Sequence, residues 1–219
     1  MRVTLSLFKL SFAVPVLVDN PDPGRANPMP SRSLLRWRAT GRRALNEIEA
    51  AHRAVGGGRA GRFAAQQLTQ AYVLLLSSHF QRFCRDLHSE CADHLVNATT
   101  PAHVAAVFRA RFAEGRKLNI GNPNPGNIGA DFAHLGIDVW RELHSRAKLN
   151  AARQRKLQAL CDWRNAVAHN DFRKPVLNGR TEPTLSEVRA WRAACHGLAV
   201  DLDRIMAAYL KRQTNVAPW

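Results

Sequence analysis

The stretch CDWRNAVAHNDF, residues 161–172, places an arginine, an asparagine and a histidine within six residues. A histidine titrates near neutral pH, so it can take a proton from a hydroxyl or give one to a departing oxygen. An arginine presents a planar set of donors that fits phosphate oxygens and stabilises the charge that develops on them. Arg164 and His169 therefore suit RNA cleavage by the substrate's own 2′-hydroxyl, which needs no metal ion or other cofactor. Asn165 could orient the histidine or bind phosphate.

A helical projection shows how these side chains would lie around one helix. At about 100° per residue, Asn165, His169 and Asp162 fall on one polar arc beside Arg164, and Asp162 is a candidate supporting residue. The apolar side is formed by Leu157, Leu160, Trp163 and Val167. The positions between arc and apolar side are small, which predicts room for a ligand: Cys161 and Ala168.

The spacing of arginine and histidine does not by itself identify a catalytic pair. An arginine is followed by a histidine after about the same interval at Arg82–His88, Arg164–His169 and Arg189–His196. Chance alone would give about this many matches in a chain so rich in arginine. The alternative interpretation is a surface arginine and a histidine that interacts with a helix C-terminus.

The elements that would position these residues are predicted to be helices. Apolar residues recur with the helical period over most of the chain, and no segment alternates with period two. The fold class is therefore all-α, with five or six helices. Their predicted ranges are about 31–55, 62–96, 100–114, 131–149, 151–168 and 184–210.

Several predictions concern the ends and turns of these helices. Ser31 or Ser33 is expected to cap the first helix, and Thr184 with Glu187 forms a capping-box pattern. Pro101 is expected at the first helical position of its helix. Residues 117–131, KLNIGNPNPGNIGAD, are predicted to form a loop, and Gly136 is expected to bend the helix that follows.

The chain is predicted to hold one domain at residues 31–212, with a tail at 213–219. Residues 1–30 are expected to lie outside the core, because Lys9 and Pro15 interrupt their apolar stretch and a proline-rich run follows. A weak signal peptide and a translation start at Met29 are the alternatives for this segment. No stretch of about 18 apolar residues occurs, so no membrane span is expected. Unpaired thiols are expected, which favours a cytoplasmic location.

The charge of the chain indicates a polyanionic partner. The 219 residues include 32 Lys and Arg against 17 Asp and Glu, a net charge of +15, and 26 of the 32 are arginine. Arginine forks bind phosphate well, so RNA or DNA is expected before a membrane surface. A genome that favours arginine codons is the competing explanation.

Other candidate residues lie on the predicted second helix. His79 or Asp86 could face the site as a supporting group, although local partners would also explain both. Cys84, His88 and Cys91 share one helix face, but three ligands on one straight helix surround a tetrahedral ion poorly. Packed thiols are therefore expected there instead of a metal.

Three segments carry a resemblance to a known family. WRNAVAHNDF resembles the R-N-x-x-x-H signature of the HEPN superfamily, helical domains named for higher eukaryotes and prokaryotes nucleotide-binding. QLTQAYVLLLSSHFQRFCRDLHSE (Gln67–Glu90) is similar to the long second helix of the group found beside RNA-ligase-like and phosphatase-like genes, RiboL-PSP-HEPN. GNPNPGNIGADFAHLGIDVW (Gly121–Trp140) is similar to that group's loop and following helix. The resemblance covers about Ser31 to Leu210.

This resemblance implies a HEPN-like helical bundle, a homodimer and a metal-independent endoribonuclease. Arg164 and His169 match the catalytic pair, and Asn165 matches the polar residue that follows the arginine. In such proteins the pairs of two protomers face one cleft, and many members act in toxin–antitoxin or phage-defence settings. A neutralising antitoxin is therefore an expected partner.

Two other functions remain open from the sequence. One is a non-catalytic helical module that binds RNA, a nucleotide or a protein. The other is an assembly or immunity protein whose basic face meets an acidic partner.

Overall fold

The computed structural model describes residues 29–56 and 58–219. Within these ranges the chain is all-α, as predicted, and contains no strand. Helix α1 covers residues 32–54 and joins an α-helical turn (Arg32–Arg36), a π-helical turn (Trp37–Gly41) and a longer α-helical part (Arg42–Ala54). Six further helices follow: α2 (Gly58–Thr99), α3 (Ala105–Ala113), α4 (Pro125–Ala133), α5 (Val139–Arg146), α6 (Leu149–His169) and α7 (Leu185–Thr214). Short 3₁₀ turns lie at Lys117–Asn119 and Pro175–Leu177.

Helix α2 is the centre of the bundle. It is 42 residues long and packs against α1, α6 and α7. Its buried face includes Tyr72, Val73, Leu76, Phe80, Phe83, Cys84, Leu87 and Cys91. Each of the larger side chains stabilises the fold by roughly 1.5–3 kcal/mol relative to an exposed position. The periodicity that predicted a long core helix is thus confirmed.

The predicted caps form at both ends of the domain. The Ser31 hydroxyl accepts a hydrogen bond from the Leu34 amide (3.0 Å), while the Ser31 amide donates to the buried Asp203 carboxylate (3.1 Å). At the start of α7 both bonds of the Thr184–Glu187 capping box are present. These contacts fix the starts of α1 and α7, the first and the last helix of the described chain.

The prediction of a loop at residues 117–131 is wrong in its second half, and this raises the helix count in the described ranges to seven. The Asn124 side chain accepts from the Asn127 amide (2.8 Å), and Pro125 follows at the first helical position. This cap and the fixed φ of proline start α4 in a segment whose composition otherwise predicts a turn.

Three other boundaries differ from the predictions. Pro101 lies in a turn that precedes α3, whose first residue is Ala105. Gly136, at φ +83°, separates α4 from α5 instead of bending one helix, because a left-handed residue ends the α-helical hydrogen bonding. At the C-terminal end α7 reaches Thr214, and Trp219 packs against the core, so the segment predicted as a tail contributes to it.

The N-terminal prediction falls mostly outside the described residues. Of residues 1–30 the structure describes Met29, which is exposed, and Pro30. Among the helices of residues 29–56 and 58–219, none combines the length and the apolar character that crossing a membrane would require.

Candidate functional site

The last turns of helix α6 carry the three predicted catalytic residues. Arg164 and Asn165 are partly buried, and His169 is the exposed last residue of the helix. Asn170 follows in the left-handed conformation (φ 49°), and its amide donates to the carbonyls of the preceding turn. An asparagine tolerates this conformation, so the sequence ends the helix at the residue that presents the imidazole to solvent.

The Asn165 side chain links α6 to the asparagine-rich segment before α4. Its Oδ1 accepts hydrogen bonds from Asn122 Nδ2 (3.0 Å) and from Arg164 Nη1 (3.2 Å). Asn122 is buried, and it is held in turn by Asn124 Nδ2 at its side-chain oxygen (2.9 Å) and by Asn127 Nδ2 at its carbonyl (2.8 Å). Asn165 is thereby fixed as the acceptor that holds the Arg164 guanidinium.

This bond turns the guanidinium toward the polar arc. Asn165 and His169 are four residues apart, so their Cβ atoms lie on one helix face about 5–6 Å from each other. The guanidinium that binds Asn165 is drawn to this same face. The structure thus brings the Arg164 guanidinium to Asn165, the residue that shares a helix face with His169.

The charge of Arg164 is not neutralised by a carboxylate in the described part of the chain. Twelve ion pairs within 4.0 Å occur there, and none includes Arg164. One of its five N–H donors is used by Asn165. A partly buried guanidinium with free donors and no counter-charge is a suitable ligand for an anionic oxygen.

Asp162 does not join this group in the structure. Its carboxylate accepts a hydrogen bond from Gln158 Nε2 (3.0 Å), one turn earlier on α6. Among the described residues, no hydrogen bond therefore joins Asp162 to Arg164, Asn165 or His169, the residues that it was predicted to support.

His79 and Asp86 lie on the opposite side of α2 from the candidate site. Gln81 on α2 donates to the carbonyls of Leu118 (2.8 Å) and Gly121 (2.7 Å), next to the segment that holds Asn165. Around α2, His79 and Asp86 lie roughly 150° from Gln81. They face α1, on the side of α2 away from Arg164.

Both residues have local partners on the α1 side. Asp86 pairs with Arg36 and lies 3.6 Å from Arg82 Nε. His79 lies beside α1, and burial together with the nearby Arg82 lowers the pKa of its imidazole. Apolar periodicity alone does not tell which face of α2 packs against which neighbouring helix.

The room for a ligand predicted beside Cys161 does not exist. Cys161 is 1% exposed and lies beside Cys84 and Cys195, where α2, α6 and α7 meet. Burial raises the pKa of the Cys161 thiol to about 12. The polar arc therefore opens to solvent at the exposed end of α6 and not toward the core.

Cys84, His88 and Cys91 pack in the core as predicted. In the described part of the chain they form no arrangement that could hold a metal ion. His88 Nε2 lies 3.1 Å from the Asp131 carbonyl oxygen, and its ring packs edge-on against Phe132. His88 thus stabilises the junction of α2 and α4.

Sequence reasoning missed the residues that hold the site in place. Asn122 and Asn124 belong to the segment predicted as a loop, and only their unusual density in GNPNPGN could have singled them out. Asp131 is fully buried and accepts from the amides of Lys117 (2.7 Å) and Leu118 (2.9 Å). An aspartate that follows a polar loop is the weak signal for such an anchor.

Neither the family models nor the curated proteins nor the solved structures with which the chain was compared give a match.

Proposed function

We propose that the chain is a metal-independent endoribonuclease of the HEPN type, with Arg164, Asn165 and His169 as its catalytic residues. The observation that carries the proposal is the state of Arg164. Its guanidinium is held by Asn165, the residue that shares a helix face with His169, and no described carboxylate lies within 4.0 Å of it. An uncompensated arginine and an exposed histidine on one face are the groups that phosphodiester transesterification needs.

The proposed reaction starts when the 2′-oxygen of the RNA attacks the adjacent phosphorus. The bond from phosphorus to the 5′-oxygen breaks, which leaves a 2′,3′-cyclic phosphate and a 5′-hydroxyl end. Arg164 binds a non-bridging oxygen and stabilises the charge of the transition state. His169 either takes the proton of the 2′-hydroxyl or gives a proton to the 5′-oxygen.

A homodimer would complete this chemistry. One imidazole cannot accept one proton and donate another in the same step, whereas two His169 side chains facing one cleft can divide the roles. The same proposal extends to a cytoplasmic toxin or defence protein that is controlled by an acidic antitoxin.

The test is incubation of the purified protein with labelled RNA in EDTA. We expect cleavage that leaves cyclic phosphate or 3′-phosphate ends, and no cleavage where the cut site carries a 2′-deoxyribose. His169→Ala and Arg164→Ala should each lower the rate at least a hundredfold. His103→Ala and Arg155→Ala, which remove exposed side chains of the same types elsewhere, should not. Metal-dependent cleavage that leaves 5′-phosphate ends would refute the mechanism.

The second candidate function is an RNA-binding module without catalysis. The arginine excess favours it, because a charge of +15 would bind RNA whether or not the strand is cut. Binding without cleavage, unchanged in Arg164→Ala and His169→Ala, would replace the first proposal by this one.

A further inference from the structure

A basic groove lies between α1 and α7, on the side of the bundle away from Asn165. It consists of two adjoining cavities of about 340 and 780 Å³ that share Arg38, Arg42 and Arg192. Its arginines are Arg38, Arg42, Arg43, Arg53, Arg189 and Arg192. We call this surface the α1–α7 groove.

The positive charge of the α1–α7 groove is only partly neutralised. Six arginines line it against two glutamates. Glu47 pairs with Arg43 (2.9 Å), and Glu49 lies 2.7 Å from Arg189 Nη2. Among the described residues, no carboxylate lies within 4.0 Å of the three remaining arginines on α1: Arg38, Arg42 and Arg53. Several cations close together without counter-charges repel one another, so an anionic ligand would relieve that repulsion.

One wall of the groove is held rigidly by hydrogen bonds. Arg192 Nη1 donates to the Tyr72 hydroxyl (3.0 Å), and its Nη2 donates to the Asn46 side chain. Trp37 Nε1 donates to His196 Nδ1 (3.3 Å), which fixes the indole at the floor. Trp37 also begins the π-helical turn of α1, a local widening that occurs frequently at functional sites.

The groove is long enough for several nucleotides. Arg38 and Arg53 are fifteen residues apart on α1, which corresponds to about 22 Å at 1.5 Å per residue. A stacked strand advances about 3.4 Å per nucleotide, so the groove would span roughly six phosphates. Trp37 and Leu45 lie beneath the floor, 6% and 1% exposed, so the groove offers the strand arginine side chains and not an apolar surface.

We propose that the α1–α7 groove binds the phosphodiester backbone of single-stranded RNA at a distance from the cleavage site. Tyr72, which the groove uses, lies about 180° around α2 from Gln81, which contacts the Asn122 segment. The groove therefore acts as a second RNA contact that holds the flank of a substrate while another part reaches Arg164. The identity of the strand as RNA rests on the proposed function, whereas the phosphate-binding role does not.

The test measures binding without cleavage. A fluorescein-labelled 12-nucleotide single strand, 2′-O-methylated throughout, is titrated with the protein at several salt concentrations and followed by anisotropy. We expect Arg38→Ala/Arg42→Ala to weaken binding about tenfold and to reduce the salt slope by about 1.4, since each phosphate contact to a single strand contributes about 0.7. The matched control is Arg155→Ala/Arg204→Ala, which loses the same charge from exposed positions outside the groove.

Each outcome separates the groove from the catalytic proposal. Equal affinity and salt slope for the groove variant and its control would overturn the groove, even if the protein cleaves RNA. Groove-dependent binding by a protein that never cleaves would support the groove and reject the nuclease. Inorganic polyphosphate serves as a second probe. If it binds in a groove-dependent way and the RNA strand does not compete with it, the assignment to RNA is overturned.

Discussion

At the level of one residue, Asn165 provides the sharpest test of the site, because an aspartate at this position would have the same shape as the asparagine. Asn165→Asp keeps an oxygen that accepts from Asn122 and Arg164, so the fold should persist. The new carboxylate would, however, neutralise the Arg164 guanidinium. We expect RNA cleavage to fall at least tenfold while the melting temperature changes by only a few degrees.

Asn215→Asp is the control, because it adds the same charge at the exposed end of α7. If both variants cleave equally well, Arg164 does not bind the reacting phosphate. If Asn165→Asp unfolds the protein, then the amide of Asn165 is required for the stability of the fold.

His88 gives the fold a defined dependence on pH. Its ring is buried, and burial together with Arg116 lowers the pKa of the imidazole to about 4, from 6.5. In the unfolded chain His88 takes up a proton below pH 6.5, whereas in the folded protein it stays neutral until about pH 4. Folding stability should therefore fall as the pH drops from 6.5 to 4, by up to about 3 kcal/mol from this residue.

Urea unfolding at pH 7.5 and pH 5 measures this loss. His88→Gln lacks the titrating group, so its free energy of unfolding, although lower at pH 7.5, should change less between the two pH values. Equal pH dependence in the two proteins would show that His88 is not the source.

At the level of elements, the Asn124 cap is expected to decide whether α4 forms. Asn124→Ala removes the bond to the Asn127 amide and the bond to the Asn122 side chain. The loss of a helix cap costs about 1–2 kcal/mol, and the freed Asn122 should hold Asn165 less firmly. Thermal unfolding followed by circular dichroism measures the stability, and the RNA cleavage assay measures the site.

Asn119→Ala is the matched control in the same segment, since its side chain makes one exposed hydrogen bond, to Arg116. It should cost less than about 0.5 kcal/mol. An Asn124→Ala protein as stable as this control would mean that Pro125 and tertiary packing start α4 unaided.

The sequence predicts where the helices lie better than it predicts which helices pack against one another. The apolar period of α2, α6 and α7 follows from burial along each helix alone, so it is readable residue by residue. The contacts of His79, Asp86 and Cys161 depend on which helix packs against which face, and no local pattern contains that information. Arg164, Asn165 and His169 could be named because they are adjacent on one helix, whereas Asn122 reaches them across 43 residues.

At the level of the whole molecule, the proposed chemistry predicts a homodimer. Light scattering at micromolar concentration should give about twice the 24.4 kDa of one chain. Exposed apolar side chains that an interface could cover include Phe108 and Ile120. A strictly monomeric protein that still cleaves RNA would contradict the shared cleft while leaving Arg164 and His169 as candidates.

The thiols buried where α2, α6 and α7 meet also allow the unfolding of the protein to be followed by chemical labelling. All four cysteines are at most 1% exposed, and burial raises the pKa of each thiol above its ordinary value. A thiol-reactive reagent at neutral pH can therefore modify Cys84, Cys161 and Cys195 only after these three helices separate. Cys91 lies farther along α2, next to Glu90, which accepts from the Arg32 amide at the start of α1, so it can be exposed separately. Mass spectrometry should show Cys84, Cys161 and Cys195 labelled together and few molecules with one or two of them labelled, because one cooperative opening exposes all three sulfur atoms.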